Sequence, residues 1–223
     1  MGILINKILF WRKNKIKLPV DFGDELKDII DVVKPYTMTS PERLFALHES
    51  VQYIVKNNIP GAIVECGVWK GGSMMAALST LKKLNDTSRM AYLYDTFEGM
   101  SAPDENDKHF NGAGADALLE KGDKTNSFSI WCVAGLEEVK RNIAKVFYPE
   151  EKVQYIVGKV EDTLVHTIPD QIAILRLDTD WYQSTKMELE VLFPKLSKGG
   201  ILIIDDYGHW QGSRKAVDEY IAN

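Results

Sequence analysis

Four carboxylates stand in two short clusters, each directly after an apolar run: Asp178 and Asp180 follow 172–177, and Asp205 and Asp206 follow 201–204. Short runs of this kind, rich in β-branched residues, read as buried parallel strands. The carboxyl ends of parallel strands open onto one edge of a sheet, where ligands bind. Carboxylates gathered there repel one another unless a cation or a reacting proton lies among them. The pattern is that of a divalent-metal site with a carboxylate left over as a base. Donors that are all oxygen, with no Cys and no paired His, favour Mg2+ over Zn2+ and admit Mn2+. If the first strand runs on, Asp178 and Asp180 point to the same side, one for the metal and one for the proton. His209, three residues past Asp206, is the second catalytic candidate, next in line as the base and placed to touch substrate or metal. His48, His109 and His166 belong to no constellation and are assigned to structure.

A second group has the character of a nucleoside site. Glu65-Cys-Gly67-Val-Trp-Lys-Gly71-Gly72-Ser73 joins an apolar strand to a helix. Gly67 and Gly71 allow the backbone to pass close to a ligand, and the helix start at Ser73 adds partial positive charge. The spacing is neither G-x-G-x-x-G nor G-K-[ST], which disfavours a dinucleotide pyrophosphate and a P-loop. A tight structural turn would use the same glycines. The next strand ends in Asp95-Thr96, where an acidic residue commonly accepts hydrogen bonds from ribose hydroxyls. Glu161 and Asp162, past the third strand, fit a plain helix start as well as a ligand contact.

These residues need an alternating scaffold to hold them. A helix is predicted over 24–33, and Ser40 with Pro41 predicts the start of another, with Leu44, Leu47, Val51 and Ile54 on one face. Strands are predicted at 61–68, 90–96, 153–157, 172–177 and 201–204. Helices are predicted at 73–84, 135–147, 185–196 and 213–221. This is an α/β sandwich with a mostly parallel sheet. Residues 98–129 break the rhythm, leave the second strand at the ligand edge, and are expected to form a mobile lid.

Composition narrows the class. The 223 residues, 45% hydrophobic and 26% charged, suffice for one substantial core. A formal charge of -5 and a pI near 5.5 argue against a nucleic-acid partner. Cys66 and Cys132 form no ligand-spaced pair, Cys66 reads as a small core residue, and a reduced, cytoplasmic setting is expected. The N-terminal stretch is basic, interrupted by Lys7, and too short to span a bilayer. It is expected to be an arm packing on its own domain or on a second subunit; the other reading is peripheral contact with an anionic membrane.

The ordered series T-M-T-S-P-E-R-L (37–44), E-C-G-V-W-K-G-G-S, Y-D-T-F-E-G-M, G-K-V-E-D-T-L, L-D-T-D-W-Y-Q-S-T, P-K-L-S-K-G-G and D-D-Y-G-H-W-Q-G-S-R-K resembles the macrocin O-methyltransferase (TylF) family. The resemblance runs from about residue 36 to 222. It implies a Rossmann-like class I methyltransferase fold that uses S-adenosylmethionine and Mg2+ to methylate sugar hydroxyls. It divides the chain into an N-terminal arm and helix (1–36) and a methyltransferase domain (37–223). It places Glu65, Gly67 and Ser73 near the methionine part of the cofactor, and Asp95 near its ribose. Gly71, Thr96, Glu161 and Asp162 line the same cofactor site. Arg43 resembles an arginine that reaches the cofactor carboxylate. Asp178, Asp205 and Asp206 fall on metal ligands, Asp178 also bordering the cofactor, and Asp180 falls on the general base.

A complete sheet of this class adds two strands after the fifth, and the sequence ends before them. The expectation is a sheet without them: either the chain is shortened, or the edge is covered by another subunit or by the arm, and a homo-oligomer is expected. The acceptor is expected to be a small molecule or glycan, with Trp181, Tyr182 and Trp210 either stacking on its sugar or packing the core. Three other readings stand beside this one: a silent S-adenosylmethionine-binding scaffold, an NAD-dependent α/β enzyme, and a phenol or catechol O-methyltransferase.

Overall fold

The computed structural model describes residues 18–126 and 128–222; the basic arm, up to Lys17, lies outside them. Five strands, β1 (Ala62–Cys66), β2 (Ala91–Asp95), β3 (Val153–Val157), β4 (Ile172–Leu177) and β5 (Leu196–Ile204), form one sheet in the order β3-β2-β1-β4-β5. Every pair in it is parallel. The order turns back between β1 and β4, which opens a crevice beyond the carboxyl ends of those two strands.

Side chains alternate across the sheet and define two cores. On one face, α1 (Asp24–Val33), α2 (Pro41–Lys56), α3 (Gly72–Lys83) and α5 (Leu136–Ala144) pack Ile30, Leu44, Leu78 and Val139 over Ile63, Leu93 and Ile174. On the other, Leu164 after α6 (Val160–Thr163), Leu189 of α7 (Tyr182–Val191) and Val217 of α8 (Gln211–Ala222) cover Val64, Cys66 and Leu175. The short α4 (Ala115–Glu120) lies inside the 98–129 segment and packs Ala115 and Leu119 with Trp181 and Trp210. Helix α1 contributes to the same core as α2 and α3, since Leu26, Ile29, Ile30 and Val33 are all buried there. Among the described residues no helix is long and apolar enough to cross a membrane.

Most elements match their expected positions, and the differences have local causes. Ser40 caps α2, its Oγ accepting from the Arg43 N–H at 3.4 Å, with Pro41 in the first turn. Helix α7 begins at Tyr182, three residues early, because the Asp107 carboxylate accepts the Tyr182 N–H at 2.8 Å and so caps that end. It stops at Val191 because Pro194 follows in a 3₁₀ turn and cannot continue an α-helix. Strand β5 starts at Leu196, paired with Ile172, then slips register before Ile201 pairs with Ile174. Gly199, at φ 82°, lies in that irregular stretch, which broke the pattern visible in the sequence.

The β1–α3 turn depends on Gly67. Its φ of 82° is in the left-handed region, and a Cβ there would run into the backbone carbonyl of Asp178. The glycine is thus needed for the close passage of two strand ends, not only for access of a ligand. Gly67→Ala is expected to cost about 2–4 kcal/mol, and to lower the thermal midpoint by about 5–15 °C. Gly23→Ala, where a Cβ meets nothing within 4 Å, is the control and leaves the midpoint within about 2 °C.

Candidate active site

The last rungs of the sheet set the strand ends side by side. Gly67 N–H donates to the Tyr94 carbonyl at 2.9 Å, Asp178 N–H to that of Cys66 at 2.8 Å, and Asp205 N–H to that of Leu177 at 2.9 Å. Asp178 and Asp205 therefore leave adjacent strands at the same level. With Asp206 they form a trio in which one carboxylate oxygen from each lies within 4.8 Å of the others.

Arg176 holds this trio to the rest of the site. It pairs in register with Glu65 across β4 and β1, and the two side chains are 4% and 2% exposed. Its Nη1 donates to Glu65 Oε1 at 2.8 Å and to Asp178 Oδ2 at 2.7 Å. Its Nη2 donates to Thr39 Oγ1 at 3.2 Å and lies 3.2 Å from Asp205 Oδ1. From α2, Arg43 Nη1 reaches Asp205 Oδ2 at 2.8 Å.

Burial and crowding divide the acids. Burial raises Asp206 well above the usual carboxylate range, and the neighbouring Asp180 and Asp205 push it further. Burial also raises Asp178, against the opposing charge of Arg176. Asp205 is the exception: burial opposes its charge, but Arg176 and Arg43 outweigh it and hold its pKa low. Glu65 is pushed up to about 7 by burial despite Arg176. Three buried carboxylate oxygens have no hydrogen-bond partner among the described residues: Glu65 Oε2, Asp206 Oδ2 and Glu188 Oε1. An orphaned oxygen within an acidic trio fits a divalent cation, and one beside the β1 turn fits an ammonium group.

The expected base arrives by a route other than the one anticipated. Strand β4 ends at Leu177, so strand alternation does not carry Asp178 and Asp180 to one side. Asp180 instead sits in left-handed backbone at φ 71°, a conformation Asp tolerates better than most residues. Its carboxyl shares a hydrogen bond with Asp206, and burial lifts its pKa to about 7.

At the end of β2, Asp95, expected near the ribose, is occupied by backbone. Its Oδ2 accepts the N–H groups of Val68 at 2.6 Å and Trp69 at 3.0 Å, and its Oδ1 that of Phe97 at 2.7 Å. It thereby clamps the β1 and β2 turns together. Thr96 Oγ1 donates to Gly99 O at 2.7 Å, a contact within its own turn. Ser73 lies buried at the start of α3, its Oγ 3.3 Å from that of Thr39. Gly71, at φ 87°, precedes the helix. Glu161 accepts from Ser184 Oγ at 2.7 Å, while Asp162 is exposed on α6. Arg43 is directed to Asp205 and not into the β1 turn.

Trp181 and Trp210 are 2% and 4% exposed and meet edge to face at 4.9 Å, so they pack the core. Tyr182 is also buried, its hydroxyl donating to Glu219 Oε2 at 2.7 Å. The 98–129 segment is tied to this core: Trp181 Nε1 donates to Ser101 O at 3.1 Å, and Phe110 N–H to His209 O at 2.9 Å. Four neighbours of these residues were not singled out from the sequence. Arg176 was visible as a charge inside an apolar strand. Glu188, fully buried and accepting from Thr179 Oγ1 at 3.2 Å, was hidden in a polar-looking helix. Asp107 was one acid of several in a loop. His109, assigned above to structure alone, meets the His209 ring at 4.7 Å.

A parallel sheet in this order, with a glycine turn after β1 and an acid at the end of β2, has the architecture of a class I methyltransferase. The sequence pattern of the family described as macrocin-O-methyltransferase (TylF) matches residues 26–223. The chain is 35% identical over 187 residues to demethyldecarbamoylnovobiocin O-methyltransferase of Streptomyces niveus, covering 84% of this chain and 68% of the relative. It is 34% identical over 186 residues to 8-demethyl-8-(2,3-dimethoxy-alpha-L-rhamnosyl)-tetracenomycin-C 4'-O-methyltransferase of Streptomyces olivaceus, covering 83% and 67%. The solved structure of the O-methyltransferase NovP, 34% identical, aligns with a TM-score of 0.72 over 84% of this chain and 74% of its own. The chain belongs to the macrocin-O-methyltransferase (TylF) family and is an S-adenosylmethionine-dependent O-methyltransferase.

Arg176→Met removes the cation shared by three acids. The cost is expected to be about 3–5 kcal/mol, because uncompensated buried charge remains. Urea unfolding measures it. Adding Glu65→Gln in the same background should recover part of the loss; a further equal loss would mean that Arg176 acts through packing alone.

Proposed function

We propose that the protein moves the methyl group of S-adenosylmethionine to a hydroxyl of a sugar, borne on a glycan or a glycosylated small molecule. The carrying observation is the trio of Asp178, Asp205 and Asp206 with the unpartnered Asp206 Oδ2. The rhamnosyl acceptor in the name of the Streptomyces olivaceus relative supports a sugar. Mg2+, with Mn2+ as substitute, is the cation these oxygen donors suit, held by the trio. Such an ion supplies Lewis acidity that lowers the pKa of an alcohol and fixes its oxygen.

The chain's own residues do the remainder. Asp180, its pKa near 7, takes the proton of the acceptor hydroxyl and works best close to neutrality. The oxygen then attacks the methyl carbon, and the C–S bond breaks to leave S-adenosylhomocysteine. Glu65 Oε2, lacking a partner, receives the ammonium of the cofactor's methionine part. Asp95 shapes the two turns that border the nucleoside. Oxygen, carbon and sulfur must be in line, so positioning by rigid strand ends supplies much of the rate. The 98–129 segment, closing over the crevice, excludes competing water.

Calorimetric titration with S-adenosylhomocysteine, with and without Mg2+, tests the cofactor site and the ion together. Saturable binding is expected, and Asp206→Asn should abolish the Mg2+ response while changing S-adenosylhomocysteine affinity less than about threefold. Asp180→Asn should keep both binding events and slow methyl transfer by about 10²–10⁴-fold. A folded chain that binds no S-adenosylhomocysteine would overturn the reading.

The arm and the assembly belong to the same proposal. The basic N-terminal segment packs on its own domain or on a second subunit, and the chain forms a homo-oligomer; peripheral contact with an anionic membrane is the other reading. Light scattering should give a mass above the 25.2 kDa of one chain, and deleting residues 1–18 should leave binding to phosphatidylserine vesicles unchanged. A monomeric mass would refute the assembly, and loss of vesicle binding on deletion would favour the membrane reading.

A further inference from the structure

We propose that His109, Phe110 and His209 form the subsite for the acceptor's sugar ring. The inference rests on the reading above that the acidic trio faces the acceptor. It names side chains that supply recognition and take no part in the proton or methyl transfer.

Phe110 is a large apolar side chain left 61% exposed. Its place relative to the acids is fixed by backbone. Phe110 N–H donates to His209 O at 2.9 Å, and His209 N–H donates to Asp206 O at 2.9 Å. Two hydrogen bonds thus separate the exposed ring from a residue of the trio. A bridge between His109 and Trp210 adds a second tie. The rings form one surface: His109 lies 4.2 Å from Phe110 and 4.7 Å from His209, and Phe110 lies 5.9 Å from His209, between centroids. Buried Trp210 forms the floor, 5.7 Å from His109 and 5.5 Å from His209.

A pyranose has the complementary chemistry. One face presents C–H groups, which an exposed aromatic ring covers, and the rim presents hydroxyls. Imidazole nitrogens both donate and accept, so they suit hydroxyls that do the same. A few polar groups set around an apolar surface are the usual composition of a small-molecule site. Trp181 and Trp210, the aromatics that flank the acids in sequence, are buried and leave this role to the 98–129 segment and the loop after β5. Phe110 belongs to that segment, so its docking on His209 joins the segment to the acceptor.

The test uses the full chain with saturating S-adenosylhomocysteine and methyl α-L-rhamnopyranoside as the probe, read by saturation-transfer NMR. Saturation of the sugar C–H protons is expected in the parent chain. Phe110→Ala should lose fivefold or more of that signal, Phe110→Tyr should keep it, and His109→Gln should reduce it. In every variant S-adenosylhomocysteine affinity, by calorimetry, should stay within twofold of the parent. Full saturation in Phe110→Ala would overturn the subsite, as would a parent that binds S-adenosylhomocysteine and gives no saturation transfer. A parent that binds neither would bring down the cofactor reading, and the subsite with it.

Discussion

The fork of Arg176 between β1 and β4 is the contact on which the site depends. A guanidinium buried at the switch point of the sheet must be met by acids with good geometry, because an unpaired charge there is costly. Glu65, Asp178 and Asp205 all meet it at 2.7–3.2 Å. The planar fork with its fixed donors serves these partners from one side chain, which a lysine ammonium does less well. Since Glu65 lies on β1 and the two aspartates follow β4 and β5, the same side chain fixes the spacing between three strand ends. A shift of any strand end would break a charged hydrogen bond, so the three move together or not at all.

Carboxylates elsewhere are used to hold backbone. Asp95 takes three N–H groups from two turns, and two of the donors, Trp69 and Phe97, have φ of 47° and 53°. Left-handed backbone at bulky residues is strained and persists only where the surroundings impose it. Asp95 is the group that imposes it here, and burial raises its pKa while those N–H groups pull it down. Asp107 does comparable work: it caps α7 and accepts the Asp104 N–H at 2.7 Å, so the long segment and the helix after Asp180 share one anchor. An acid at a strand end thus has two employments, ligand contact and turn fixation, and geometry alone separates them.

The scaffold was legible because its signals are periodic. Ile63, Val64 and the run at 172–177 announce strands, and Ser40-Pro41 announces a helix start, from neighbours in the chain. The acidic trio was legible because each aspartate follows an apolar run. What could not be read depends on partners distant in sequence or on backbone angles. Arg176 reads as an interruption of its strand until Glu65, 111 positions away, is placed beside it. Asp180 joins the trio through a left-handed turn, where strand alternation has no force. His109 has no meaning alone, and its constellation with His209 forms only when the long segment crosses the loop after β5. Gly67 was noticed for a ligand's approach or a tight turn, and the close passage of Asp178 that its missing Cβ permits could not be read from the sequence.

The electrostatics of the site leave an excess of negative charge at the ends of β4 and β5. Glu65, Asp178, Asp180, Asp205 and Asp206 crowd one strand edge, and Arg176 and Arg43 are the cations that touch them. The imbalance appears as pKa values raised at Glu65, Asp178, Asp180 and Asp206, while Asp205, the acid contacted by both arginines, stays low. A divalent ion bound among acids held this way would displace their protons. The guanidiniums cannot take over that part, because a permanently protonated fork can orient carboxylates but cannot lower the pKa of an alcohol as a metal ion does. Arg176 therefore settles where the acids stand, and a surplus of negative charge remains around it.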